Sequence, residues 1–315
     1  MSVEHCGLYF TRAQIEQARQ QREAEPAAAA WGLLDTYPAA NALVQAQLNG
    51  LRYRFADNMQ AGEQAVEGLH QLNPAAGTDK PFIEQVASVV VQAQIFEMVR
   101  DHPAWSQQKH WLADFADAVQ TLQQPPTQLA HVDQLWLNLL NLVSGIVLEQ
   151  DSPLQQAVTV FQRVIDHDIH PEGYILKAVQ PAEDEKPYYG DGLYRMLLSA
   201  QALILTAEAA AHVGHDLWGY ENRGVSAMTP TPYLLYYYYF PHKWRWDDDL
   251  PLEATQALYR EHGGLWDMAQ RRVVSRDRKV LLDELRPIYD VWGGGLTSLT
   301  HGLPAEQRKR RGWFS

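Results

Sequence analysis

One cysteine, Cys6, stands in a chain of 315 residues. A single thiol excludes an intrachain disulfide framework and a cysteine-rich metal site, and it fits a reducing compartment. Positive charge is scarce as well, since 26 Lys and Arg face 38 Asp and Glu for a formal net charge of −12. That balance argues against nucleic acid as the main partner, because phosphate binding needs a basic field, and it makes any anion site a local one. The opening MSVEHCGLYF has no basic n-region followed by an apolar h-region, and no apolar run reads as long enough to span a bilayer. The expectation is a cytoplasmic chain with no membrane partner. Strand-like alternation is nearly absent. GGGLTSLTHG is glycine-rich but carries no P-loop lysine, and His167 and His170 in HDIHPEG have no third ligand at a known spacing. No cofactor and no metal are therefore expected.

What the chain does hold is helix-forming pattern and aromatic rings. Hydrophobic residues make up 46% of it, enough for a substantial core. TRAQIEQARQQREAEPAAAAWGLLD opens with Thr11 as an N-cap and then repeats Ile15 and Ala18 at helical spacing. FIEQVASVVVQAQIFEMVRD, LWLNLLNLVSGIVLEQ, PLQQAVTVFQRVIDHDI and LYRMLLSAQALILTAEAAAHVG carry broad apolar stripes. Breakers such as NPAAGTDKP, QQPPTQ, HPEG, PTP, EHGG and WGGG separate them. This reads as roughly ten helices in hairpins, packed as a ring or irregular bundle. No composition shift marks a boundary, so residues 1–315 are expected to form one domain, with RKRRGWF near the end as a short basic tail.

The order of helical hairpins, the segment LLSAQALILTAEAAAHVGHDLWGY, the aromatic FPHKWRW and the late RPIYDVWGGGLTSLTHG together resemble the alginate lyase-like branch of the α/α-toroid polysaccharide lyases. HCGLYFTRAQIEQARQQ is similar to the opening of heparinase-like toroids. The resemblance implies an all-α fold, an α/α toroid or incomplete barrel of helical hairpins. It also implies a lyase that cleaves uronate-containing, alginate-like glycans by β-elimination. Such an enzyme removes the C5 proton and breaks the bond to the C4 substituent. Because an ionised carboxylate leaves the C5 proton too weakly acidic, the site must neutralise that charge. A His or Tyr takes the proton, and a Tyr supplies one to the leaving oxygen.

Three clusters match these parts. In HVDQLWLNLLN the Trp of the family pattern is Trp136, but the two asparagines and histidine that usually precede it read His131, Val132, Asp133. His131 is a candidate base or carboxylate contact, and the missing amide pair leaves the neutraliser open. The plain alternative has Asp133 capping the helix and His131 in a loop. Gln134, Asn138 and Asn141 share one helix face, either as a solvated stripe or, for Asn138, as a substrate contact. In KPYYGDGLYRM the family's His-Tyr pair is matched by Tyr194 and Arg195, with Tyr189 in the loop before them. Tyr194 is the proton-transfer candidate, and the alternative packs it in the core. In FPHKWRW, His242, Lys243 and Arg245 offer cations for uronate carboxylates, with Trp244 and Trp246 as sugar-stacking faces. The alternative for the two tryptophans is a seal over the core. The expected partner is an anionic polysaccharide or oligosaccharide. Two other classes stay open: a carbohydrate-binding toroid that has lost the chemistry, and a toroid hydrolase using two of Asp133, Asp184 and Asp191 as paired carboxylates.

Overall fold

The structure, a computed structural model, describes residues 5–72, 80–107, 110–125, 128–180, 192–246 and 250–302. Tyr189, Asp184, Asp191, the aspartates Asp247 to Asp249 and the basic tail lie outside those residues. Among the described residues every regular element is helical, and only isolated bridges such as Asp290 with Gly295 depart from that. The first helices are α1 (Arg12–Gln20), α2 (Ala27–Thr36), α3 (Ala42–Ala56), α4 (Met59–Gln71), α5 (Phe82–Val99) and α6 (Trp111–Leu122). The middle of the chain forms α7 (His131–Val147), α8 (Asp151–His167), the single turn α9 (Leu176–Val179) and the long α10 (Gly192–His212). Last come α11 (Pro230–Tyr239), α12 (Leu252–Glu261), α13 (Gly264–Arg272), α14 (Arg276–Leu285) and the turn α15 (Thr297–Thr300).

The ends follow from side chains. Thr11 accepts from the Gln14 backbone while the Gln14 amide accepts from Thr11 N–H, a reciprocal capping box. Asn41, Asn58 and Ser275 cap α3, α4 and α14 by a single bond each, the side chain accepting from the backbone N–H three residues on. The first long helical pattern is split into α1 and α2 at Pro26, which has no N–H to continue the ladder. Proline instead opens α11, where Pro230 and Pro232 fall in the first turn that needs no donor. Pro241 then stops it.

Chain neighbours pair as hairpins, α3 with α4 and α7 with α8, and the inner members pack side by side in the order α3, α5, α7, α10, α13. The turn α15 joins α13 to α1 and α2, and these lead back to α3. This is the all-α, α/α-toroid arrangement of helical hairpins. Inner helices are covered on nearly every side: in α5 every residue from Val89 to Val99 is buried, Gln92, Gln94 and Glu97 among them. By length and composition α5 would cross a bilayer, contrary to the expectation of no such run, yet 78% of it is buried inside the fold. Outer helices carry one stripe, as in α8 with Leu154, Ala157, Phe161, Val164 and Ile165.

Into this ring reaches the segment 286–296. Tyr289 Oη donates to Gln47 Oε1 on α3 at 2.8 Å, Gln47 Nε2 donates to Gln94 Oε1 on α5 at 2.7 Å, and Gln94 Nε2 donates to the Gly294 carbonyl at 2.8 Å. Gln201 on α10 donates to Asp290. Buried amides on three inner helices thus find their partners in one late loop, as buried polar groups must.

Candidate functional site

The loop carries Trp292, and Trp292 belongs to a chain of rings. Its indole lies 5.8 Å, edge to face, from Trp136 on α7 and 5.6 Å from the imidazole of His262, the residue that ends α12. His262 in turn lies 5.5 Å from the Tyr194 phenol in the first turn of α10. Three inner or neighbouring helices and the loop therefore converge on one phenol, one imidazole and two indoles. Tyr194 and Trp292 are half-buried and supply the accessible surface. His262 lies beneath them at 5% exposure, and its Nδ1 is sealed without a partner among the described residues. Burial pushes this imidazole down to about 4, so the ring is neutral at neutral pH. Its Nε2 edge is turned toward the exposed Glu261 carboxylate, 4.0 Å away.

The sequence reading missed His262 and Trp292. His262 sits in EHGG, which reads as a helix breaker, and Trp292 sits in a glycine-rich stretch with no phosphate signature. Trp136 has no accessible surface; its Nε1 donates to the Leu198 carbonyl at 3.2 Å, so it backs Trp292 instead of facing a sugar. Asn138 is buried as well and donates to the Ala157 carbonyl, while Gln134 is exposed and Asn141 accepts from Gln123. The three amides are thus neither one solvated stripe nor one polar cavity. No side chain caps α7, and Asp133 is buried in its first turn.

His131 starts α7 at 4% exposure with Nε2 unpartnered among the described residues. Burial pushes it down to about 4, against the pull of Asp168 and with Lys177 and Arg163 adding to the fall. Arg195 is buried too, and its Nε donates to the Ala178 carbonyl at 2.6 Å. His131 and Arg195 therefore meet the same short segment: Asp168 pairs with Lys177 at 2.8 Å on one side, and α9 is pinned to α10 on the other.

The aromatic and cationic stretch forms a second group. Trp244 is 6% exposed, packed at 4.8 Å on Tyr237, and so seals the core as its alternative reading had it. Trp246 donates from Nε1 to the Tyr233 hydroxyl at 2.8 Å. Arg245 lies over Tyr174 at 5.2 Å and over Trp246 at 4.7 Å, and it pairs with Glu172 at 3.2 Å. Lys243 projects over Tyr236 and Phe240, at 5.6 and 5.0 Å. His242, Lys243, Arg245, Tyr236 and Phe240 are all exposed. Tyr238, Tyr259 and Trp266 form a continuous ring stack behind them, linking α11 through α12 to α13.

The helical hairpins form the α/α toroid of the alginate lyases, and on it stand two separate groups, a phenol beside a neutral imidazole and exposed cations over aromatic faces. The chain belongs to the alginate lyase family, whose sequence model matches residues 37–244. His262, Asp290 and Trp292 lie beyond the matched stretch. An alginate lyase from Bacteroides ovatus superposes with a TM-score of 0.72 at 11% identity, covering 94% of this chain and 99% of that one. Alginate lyase A1-III from Sphingomonas species A1 gives 0.61 at 14% identity, over 84% of this chain and 76% of that one. A variant of alginate lyase A1-III complexed with a tetrasaccharide gives 0.67 at 12%, covering 95% and 96%. At such identities the likeness is one of fold. No curated protein matches the sequence.

Proposed function

We propose that this protein is a polysaccharide lyase that cleaves a uronate-containing glycan by β-elimination, with Tyr194 as its proton-transfer group. The observation that carries the reading is the contact of the half-buried Tyr194 phenol with a neutral, buried imidazole. In the reaction the C5–H electron pair forms the C4–C5 double bond as the bond from C4 to the leaving oxygen breaks. The proton leaves to a base, and the departing oxygen takes up a proton from an acid. Tyr194 serves both steps: entering as the phenolate it takes the C5 proton, then returns it to the leaving oxygen and ends in the form in which it began. His262 fills the place left by the amide pair that the His131, Val132, Asp133 stretch lacks: its neutral ring donates from Nε2 to the uronate carboxylate. A neutral donor in a water-poor site stabilises developing negative charge without a charge of its own to desolvate. Trp292 gives the adjoining ring face. Lys243 and Arg245, with Trp246, hold the anionic chain farther along, consistent with a net charge of −12 that leaves attraction to local cations.

The test is incubation with a panel of polyuronates while recording the absorbance of the unsaturated product, for the wild type and for Tyr194→Phe. Tyr194→Phe keeps the ring and removes the hydroxyl, so turnover falls by ~10²–10⁴-fold with folding unchanged. Full activity in that variant would end the assignment of Tyr194. Binding without product in the wild type would favour the carbohydrate-binding reading instead.

A further inference from the structure

Buried beneath the site is Asp290, which no cation neutralises among the described contacts. Its Oδ2 accepts from the Gly264 backbone N–H at 3.0 Å and from Gln201 Nε2 at 2.5 Å, and its Oδ1 accepts from the Gly293 N–H at 2.8 Å. Its own backbone closes the loop through reciprocal bonds with Gly295 at 3.0 and 2.7 Å. Gly264 begins α13 two residues after His262, and Gly293 directly follows Trp292. One carboxylate therefore holds both segments that carry the imidazole and the indole, and it ties them to α10, whose first turn carries Tyr194. The approach leaves no room for side chains: a Cβ at Gly293 would sit 2.0 Å from Asp290 Oδ2, and one at Gly264 would sit 2.4 Å from the Gly293 carbonyl oxygen.

We infer that Asp290, in its ionised form, is a positioning residue for the lyase site, fixing His262 and Trp292 against Tyr194. The inference rests on the lyase reading for its kinetic consequence but not for its structural one. The anion suits the three donors and the N-terminus of α13. The neutral acid suits them less, because protonation removes the charge that strengthens all three accepted bonds. Burial nevertheless raises Asp290 to about 7, against the lowering by the bonds from Gly264, Gly293 and Gln201. The ionisable groups around it leave that balance in place. Glu261 on α12 pushes it further up. Tyr289 is itself held protonated by burial. Asp267 on α13 is committed to Arg286, Thr297 and Ser298. Arg52 on α3 acts on Tyr289, and α10 contributes the uncharged Gln201. Acidification through neutrality thus loosens the latch well before either imidazole, at about 4, gains a proton.

The experiment compares wild type, Asp290→Asn and Gln201→Leu by polyuronate turnover, thermal unfolding and tryptophan fluorescence, between about pH 5 and about pH 9. In the wild type, kcat falls on the acid side with a midpoint near 7, and fluorescence changes with the same midpoint; Trp292→Phe, as a control, abolishes the fluorescence change. Asp290→Asn lowers kcat at alkaline pH by roughly 10- to 100-fold, the cost of a small misplacement. It also removes the fluorescence transition, a readout that a purely structural role would not move. Gln201→Leu removes one donor to the anion and moves both midpoints to higher pH. Asp290→Asn with wild-type kcat and an unchanged fluorescence titration would overturn the inference, as would an unmoved midpoint in Gln201→Leu. If no polyuronate is cleaved but the transition of Trp292 still depends on Asp290, the positioning stands and the lyase reading falls.

Discussion

Glu208 shows how much a single buried charge can depend on its neighbours. Burial pushes its carboxyl up, yet hydrogen bonds from His212 and His301 and the nearby charges hold it well below the usual range. His301 is itself pushed down by burial, so at neutral pH it acts as a neutral donor, and Arg272 at 2.9 Å supplies the charge. A depressed carboxylate adds stability above its unfolded value, and that stability is lost as pH falls through the folded one. Glu208→Ala releases the exposed Arg272 to solvent but leaves Trp218 Nε1 and His301 without their acceptor, and should cost about 1–3 kcal/mol in denaturant unfolding at neutral pH. His131 and His262 have the same sense for a different reason. Both are held neutral down to about 4, whereas in the unfolded chain they charge near 6.5. As pH falls between those values the unfolded state takes up protons that the native state refuses, and stability drops by about 3 kcal/mol for each imidazole. Asp290, raised, works in the opposite direction over an overlapping range. Two imidazoles outweigh one carboxylate, so melting temperature should fall on acidification, and His262→Leu should flatten that slope. None of these roles is legible in the sequence. His262 looks like part of a breaker, and the partners of Glu208 lie 64 and 93 positions away. Tyr194 is a candidate from the sequence only because Tyr194-Arg195 stands where the resembling family has a His-Tyr pair.

Elements were easier to read than residues, because helical period is a local property. α5, α7, α8 and α10 lie where their apolar stripes put them, and Thr11 caps α1 as its sequence implies. Among the described residues there are fifteen α-helices where the pattern reads as roughly ten, and the split at Pro26 and the short α9 and α15 turns account for three of the additional ones. The loop 286–296 was not legible as a core element. Glycine-rich and without a helical or strand period, it carries no pattern that marks a core element, and only the amides of α3, α5 and α10 explain its place. Substitution should expose that dependence. Gly293→Ala forces a Cβ into Asp290 and Gln201, and should cost turnover more than Val274→Ala, which alters an exposed side chain on the α13–α14 connection. Equal activity of the two variants would show that the loop tolerates displacement. α10 is the element that makes the loop matter at a distance. Its 21 residues span about 30 Å, with Tyr194 at one end, Gln201 in the middle and Glu208 near the other.

At the scale of the molecule, a net charge of −12 and an anionic substrate oppose each other. Productive encounter then relies on the exposed Lys243 and Arg245. Lys243→Ala should raise KM with little change in kcat, and the penalty should shrink as salt screens both terms. A kcat loss of the same size as the KM change would place Lys243 among the reacting groups. The resemblance of hairpin order gave the ring itself, while the way it closes came only from distant contacts.

Those contacts also order events in time. A chain leaving the ribosome makes α3, α5 and α10 before residues 286–296 exist, so Gln47, Gln94 and Gln201 wait for partners that are synthesised later. Until then the helices can assemble only loosely, since sealing the ring would trap unsatisfied amides. A nascent or truncated chain that stops before Arg286 should therefore be susceptible to proteases and bound by chaperones, and emergence of residues 286–296 should be the event that closes the fold.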